Sequence, residues 1–210
     1  MIRWRNDRVS LQVRARFAWR EERAAQLAEF AIALPLLVFF VVGIFDFSSA
    51  FTLKQKLTNI ARDAARAAAA DPANDLQSPS STAPASVIDA FQMIDGYFTA
   101  NNLNDCGIAV SGSPSGLTWT FTASGNGCVS PGLTIKINRG YFTPSTGAAS
   151  ADVTCTSAAS GGTTGLTVIA TCVSIQYAYA WRFGRVANLL GTTDILPAKI
   201  TATAVALNEN

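Results

Sequence analysis

Histidine is missing altogether from this 210-residue chain. With it go the commonest general base and the commonest metal ligand. No Ser-His or Cys-His dyad can be assembled without it. No S-x-x-K run offers a Ser-Lys nucleophile, and no Gly-rich loop ends in a lysine that would cradle a phosphate. The cysteines lack the C-x₂₋₄-C spacing of a zinc frame. Charge is scarce as well, with Asp, Glu, Lys and Arg making up 14% of residues. The scattered Asp residues fall in turns and at helix ends, where carboxylates are ordinarily found. No basic patch downstream of the apolar segment would grip a nucleic acid. These absences point away from an enzyme and imply no cofactor, metal, nucleic acid or small-molecule substrate.

The charge that is present is unevenly placed. Arg3, Arg5, Arg8, Arg14, Arg16, Arg20 and Arg23 crowd the start, opposed there by Asp7, Glu21 and Glu22. From Phe30 to Phe45 the chain reads FAIALPLLVFFVVGIF without a charge. A bilayer needs roughly 20 apolar residues. Extending the run back through Ala24–Ala28 and forward to Phe51 supplies them, and brings Glu29 and Asp46 near the two ends, where charge costs less than at the bilayer centre. Asp46 is expected at the interface. Pro35 removes one helix hydrogen bond and predicts a kink that a membrane helix tolerates. The positive-inside rule then places the arginine-rich leader, residues 1–24, in the cytoplasm and everything after Phe51 outside; Lys54 and Lys56 weaken that bias without reversing it.

A cleaved secretory signal would have a shorter apolar core followed by a small-residue cleavage site. Here helix continues instead through LTNIARDAARAAAA, with Leu53, Leu57, Ile60, Ala61 and Ala64 at helical spacing, until Pro72 stops it. The expectation is one helix over residues 25–70, on the order of 70 Å long, which exceeds the hydrocarbon core and makes it both anchor and stalk.

The run from Arg20 to Pro35, REERAAQLAEFAIALP, resembles the start of TadE-like proteins: a basic leader dotted with acids, a small-residue run, a Glu-Phe pair, then an apolar stretch with an early proline. The segment Leu57–Ala67, LTNIARDAARA, is similar to a second stretch of that family, and the strand-like end near Glu209 is similar to its usual ending. The strong part of the resemblance covers about the first third of the chain. It implies a minor pilin or pseudopilin of tight-adherence (Flp-type) pili, held in the inner membrane by one pass, with other pilins, the assembly machinery and a prepilin peptidase as partners. It implies processing between Ala24 and Ala25. The family commonly has glycine before the cut; here Ala24 stands there. Glu29 and Phe30 would form the Glu-Phe step, with Glu29 fifth in the mature chain. There its carboxylate could pair with a neighbour's α-amino group and set axial register between helices. Without the resemblance, the simpler reading of Glu29 is a carboxylate at the headgroup boundary. Small residues such as Ala28, Ala31 and Gly43 permit close helix approach, and alanine is also a good helix former.

Residues 71–83 are rich in Pro, Ser, Asn and Asp and read as a linker. Residues 84–210 read as an extracytoplasmic α+β domain with a mainly antiparallel sheet. A helix opens at Pro84–Ser86, with Val87, Ile88, Phe91, Ile94 and Phe98 as its apolar stripe. Strands follow at Leu117–Thr122, Leu133–Ile137, Leu166–Tyr177 and Ile200–Leu207, with a short helix at Arg185–Leu190 before the last. Cys106, Cys128, Cys155 and Cys172 all follow the apolar segment, which suits two disulfides in an oxidising compartment rather than four buried thiols. Four cysteines allow three connectivities. Local pairing, Cys106 with Cys128 and Cys155 with Cys172, is expected because each pair falls in one stretch of predicted hairpins. Tyr177, Tyr179, Trp181 and Phe183 alternate at one strand end, either covering the short helix or forming a recognition face. The second of these supports an alternative function, a membrane-tethered adhesin or binding module.

Overall fold

A computed structural model describes residues 7–72, 83–144, 154–155, 167–182 and 197–208. Helix α1 runs from Asp7 to Ala70, continuing through Pro35, and so begins within the arginine-rich leader. The chain divides into two compact units, Met1–Phe47 and Ser48–Asn210. The expected linker lies almost wholly outside the described residues, as do the short helix at 185–190 and Phe183.

The second unit begins inside α1. From Ala50 onward the helix buries Leu53, Leu57, Ile60, Ala61, Ala64, Ala65 and Ala68, while Gln55, Asn59, Arg62 and Arg66 stay exposed. That is an apolar stripe on a polar helix, the pattern of a helix packed on one side. Helix α2, Ala85–Ala100, buries Val87, Ala90, Phe91, Ile94 and Phe98. The apolar stripes of both helices belong to one core with the sheet.

The sheet is an antiparallel meander of five strands in chain order: β1 Ser113–Ser115, β2 Thr118–Ala123, β3 Leu133–Pro144, β4 Thr167–Ala178 and β5 Lys199–Leu207. Its register follows from alternation of aliphatic and polar residues. Trp119 pairs with Ile137 and that with Val173, which pairs with Ala204; Phe121, Ile135, Ile175 and Ala202 form the next row. These rows all point into the helices, and a one-residue slip would turn every one of them to the other face. The opposite face carries Thr120, Lys136, Ser174 and Thr203 in one row. Phe91 of α2 stacks on Phe121 with ring centroids 4.5 Å apart.

Strand β3 is longer than the alternating stretch Leu133–Ile137, because it continues past an irregularity between Asn138 and Tyr141. Asn138 turns its side chain onto its own chain there, its Oδ1 accepting from the Gly140 N–H at 2.9 Å. A Cβ at Gly140 would press on the half-exposed Leu117 side chain. Beyond the irregularity Tyr141, Ala170, Cys155 and Cys172 form a second small cluster.

The cysteines pair locally: Cys106 with Cys128 across 22 residues and Cys155 with Cys172 across 17, with Cα–Cα separations of 5.4 and 5.6 Å. Both separations lie in the ordinary disulfide range.

Candidate functional site

The region of α1 from Ala25 to Phe47 has the composition of a core helix and the exposure of a surface one. Leu27, Ile32 and Phe45 are 69%, 75% and 70% exposed. Phe30, Leu36, Leu37, Phe40 and Ile44 are exposed as well. Exposed apolar patches of soluble monomers rarely exceed a few hundred Å², so a helix bare of polar cover on most sides is built for a non-aqueous neighbour. Among the described residues this helix alone is long and apolar enough to cross a membrane.

Within this segment Ala25, Glu29 and Phe30 are all exposed, and Ala24 lies in the same helix. Four residues separate Ala25 from Glu29, so the two share a helix face one turn apart. Asp46 is buried, with 3% of its surface exposed.

The end of α1 is held by a residue that sequence reading passed over. Arg139, fully buried, donates through Nη2 to the Asp71 carbonyl at 2.9 Å and through Nη1 to the Thr171 hydroxyl at 3.1 Å. The last carbonyls of a helix are left without helical partners and carry the negative end of its dipole, so a guanidinium suits the position. Thr171 in turn donates to the Asn208 side-chain oxygen at 2.7 Å. Strands β3 and β4, the chain beyond β5 and the helix end thus meet at one buried cation. Lys54 makes a second tie, donating to the Thr201 carbonyl of β5. Burial lowers the Lys54 pKa.

A groove of about 580 Å³ lies beside the first turns of α1 in the second unit. Ser48, Thr52 and Lys56 form one wall, and Asn102, Tyr177 and Tyr179 contribute to the other. The Asn104 backbone N–H donates to the Tyr177 hydroxyl; burial and the Asp105 carboxylate nevertheless raise that hydroxyl's pKa, keeping it a protonated donor. Tyr179 meets Trp181 edge to face at 4.9 Å, and both pack partly against the core. The Trp181 indole donates to the Pro197 carbonyl at 2.7 Å. The aromatic strand end is therefore half core and half groove wall. Among the described residues no cluster of three metal-binding side chains occurs.

Neither the curated proteins nor the solved structures contain a match to this chain. A family pattern does match, and its location follows the geometry: it begins at the expected processing step, crosses the exposed apolar segment and covers most of the buried stripe. Residues 24–66, within helix α1, match the model of the TadE-like protein family.

Proposed function

We propose that this chain is a minor pilin or pseudopilin that takes part in assembling tight-adherence (Flp-type) pili at the cell envelope. The observation that carries the reading is the exposed apolar segment Ala25–Phe47 lying inside the family-matched residues 24–66. In this reading α1 spans the inner membrane, with the leader in the cytoplasm and the disulfide-bonded domain outside. The two disulfides support an oxidising compartment for that domain. A prepilin peptidase cuts between Ala24 and Ala25. Glu29 then sits one helical turn from the new α-amino group and pairs with that of a neighbouring subunit, in a low-dielectric bundle where an uncompensated charge would be costly. The chain works by assembly, without catalysis of its own.

Mass spectrometry of the mature N-terminus tests the processing step. A chain starting at Ala25 is expected, and an intact Met1 on the mature protein counts against it. Glu29→Ala tests the assembly role. Incorporation into surface fibres, or fibre formation itself, is expected to be lost while the protein remains in the membrane. Unchanged fibres and incorporation would leave α1 a simple anchor and favour a tethered adhesin.

A further inference from the structure

The groove at Ser48–Lys56 has a position and a chemistry that the assembly reading does not use. Ser48 directly follows Phe47 in α1, and Lys56 lies eight residues further on. At a rise of 1.5 Å per residue, those positions cover roughly the first 12 Å beyond the apolar segment. The headgroup layers add about 10–15 Å to a hydrocarbon core of about 30 Å, shared between the two faces. If Ala25–Phe47 crosses the bilayer, the α1 wall of the groove starts in the headgroup layer. This step rests on the membrane-spanning part of the reading above.

The lining suits a phosphodiester. Lys56 supplies a cation and Ser48 a hydroxyl. The Thr52 hydroxyl already donates to the Ser48 carbonyl at 2.9 Å, so Thr52 shapes the wall rather than binding. Tyr177 accepts from Asn104 and has its own proton to give. Among the described residues no carboxylate lines the groove. Asp105, outside the lining, acts on Tyr177 from nearby. Phe51, 63% exposed and three residues past Ser48, offers apolar surface beside the same turns. Tyr179 and Trp181 are of the type enriched at membrane interfaces, where one end of the ring is wet and the other apolar. An anchored chain meets headgroups at high effective concentration, so a shallow site is sufficient.

We infer that this groove binds the headgroup of a phospholipid of the spanned bilayer through its phosphodiester, with Lys56 as the principal contact. The bound lipid would fix the height and rotation of the domain on the membrane surface before a subunit leaves the bilayer.

Native mass spectrometry of the full chain in detergent, with dioleoyl phosphatidylethanolamine added, tests this. A one-to-one lipid adduct is expected for the unaltered chain. Lys56→Gln is expected to weaken it about tenfold, and Tyr177→Phe by less. Arg66→Gln, ten residues along the same helix and exposed, is expected to leave it intact. An adduct unchanged in Lys56→Gln, or lost equally in Arg66→Gln, would overturn the site. So would displacement by millimolar inorganic phosphate, which would mark a site for soluble anions, or a lipid-free dimer, which would put a second copy in the groove. Thermal unfolding followed by circular dichroism checks that Lys56→Gln folds. Alkaline carbonate washing separates the two readings: a chain washed off membranes loses the spanning helix, whereas a retained chain with an unchanged Lys56→Gln adduct loses the groove alone.

Discussion

Between Ala25 and Phe47 most side chains of α1 are exposed, whereas from Ala50 to Ala69 every third or fourth residue is buried. Both stretches are rich in small and apolar residues, so composition does not separate them. Distribution does. The second stretch places Gln55, Asn59, Arg62 and Arg66 along one side, leaving Leu57, Ile60, Ala61, Ala64 and Ala68 as a stripe. The first offers no such polar side: between Phe30 and Phe45 there is no charge at all. A helix with one polar side packs against protein, and one without it needs a solvent of another kind. The family pattern, residues 24–66, covers the first stretch and most of the second, and stops before α2 and the sheet.

The sharpest way to break this comparison is to put the same residue into both stretches. Ala64 is fully buried. Ala64→Asp places an unpaired carboxylate and extra volume between α1 and the sheet, and is expected to cost about 4 kcal/mol or more, enough to unfold the domain. Ala31 is exposed. Ala31→Asp is expected to leave the domain's thermal unfolding unchanged and to impair membrane insertion, by less than the about 3 kcal/mol of a carboxylate at the bilayer centre. Thermal unfolding by circular dichroism reads the first effect, and resistance to carbonate extraction reads the second. If Ala31→Asp unfolds the domain, or Ala64→Asp spares it, the division of labour along α1 is wrong.

A gentler version removes apolar volume. Leu57 has 0% of its surface exposed and Leu37 has 62%. Leu57→Ala is expected to cost about 3 kcal/mol through lost burial and a residual cavity. Leu37→Ala is expected to change domain stability by less than about 0.5 kcal/mol, as for an exposed site. Chemical denaturation of the full chain in detergent gives both values. A similar cost at the two leucines would mean that the first stretch is also domain core.

How much of this was legible in the sequence follows the same divide. The end of α1, the stripe of α2 and the α+β class were readable because each rests on a local period: 3.6 in the helices, and 2 in Thr118–Phe121, Leu133–Ile137 and Ile200–Leu207. Strand β1, Ser113–Ser115, was not readable. A Ser-Pro-Ser run has no strand propensity, and it is held by its pairing with Thr118–Thr120. The continuation of β3 past Asn138 was hidden by the Asn-Arg-Gly break in alternation. The role of Arg139 was hidden for a deeper reason: its partners, Asp71 and Thr171, are 68 and 32 residues away. Within the candidate site, Glu29 stood out only through the family resemblance, as the acidic half of its Glu-Phe step. The groove did not, since Ser48, Asn102 and Tyr177 come from three separate elements and meet only in the fold.

The smallest expected effect concerns two carboxylates. Glu29 is exposed in the first stretch, whereas Asp95 of α2 is half-buried, with a buried Oδ1 that accepts no hydrogen bond. Burial, and secondarily the Asp105 carboxylate, raise the Asp95 pKa above its ordinary 3.8. The folded domain therefore binds the proton more tightly than the unfolded chain does. Stability from this group is gained as pH falls through the raised folded value and is complete below about 3.8; it is lost as pH rises through the same window. Above that window the charged Asp95 is a liability. Asp95→Asn is expected to raise the thermal midpoint slightly at neutral pH and to remove this group's part of the acid-side gain. Glu29→Gln is expected to alter neither the midpoint nor its pH profile, because its carboxylate acts outside the domain. Melting curves of the full chain in detergent, taken from neutral pH down to about pH 3.8, decide between them. An Asp95→Asn profile parallel to the unaltered one would remove Asp95 as the source of the pH dependence, and a profile changed by Glu29→Gln would tie the apolar stretch to the stability of the domain.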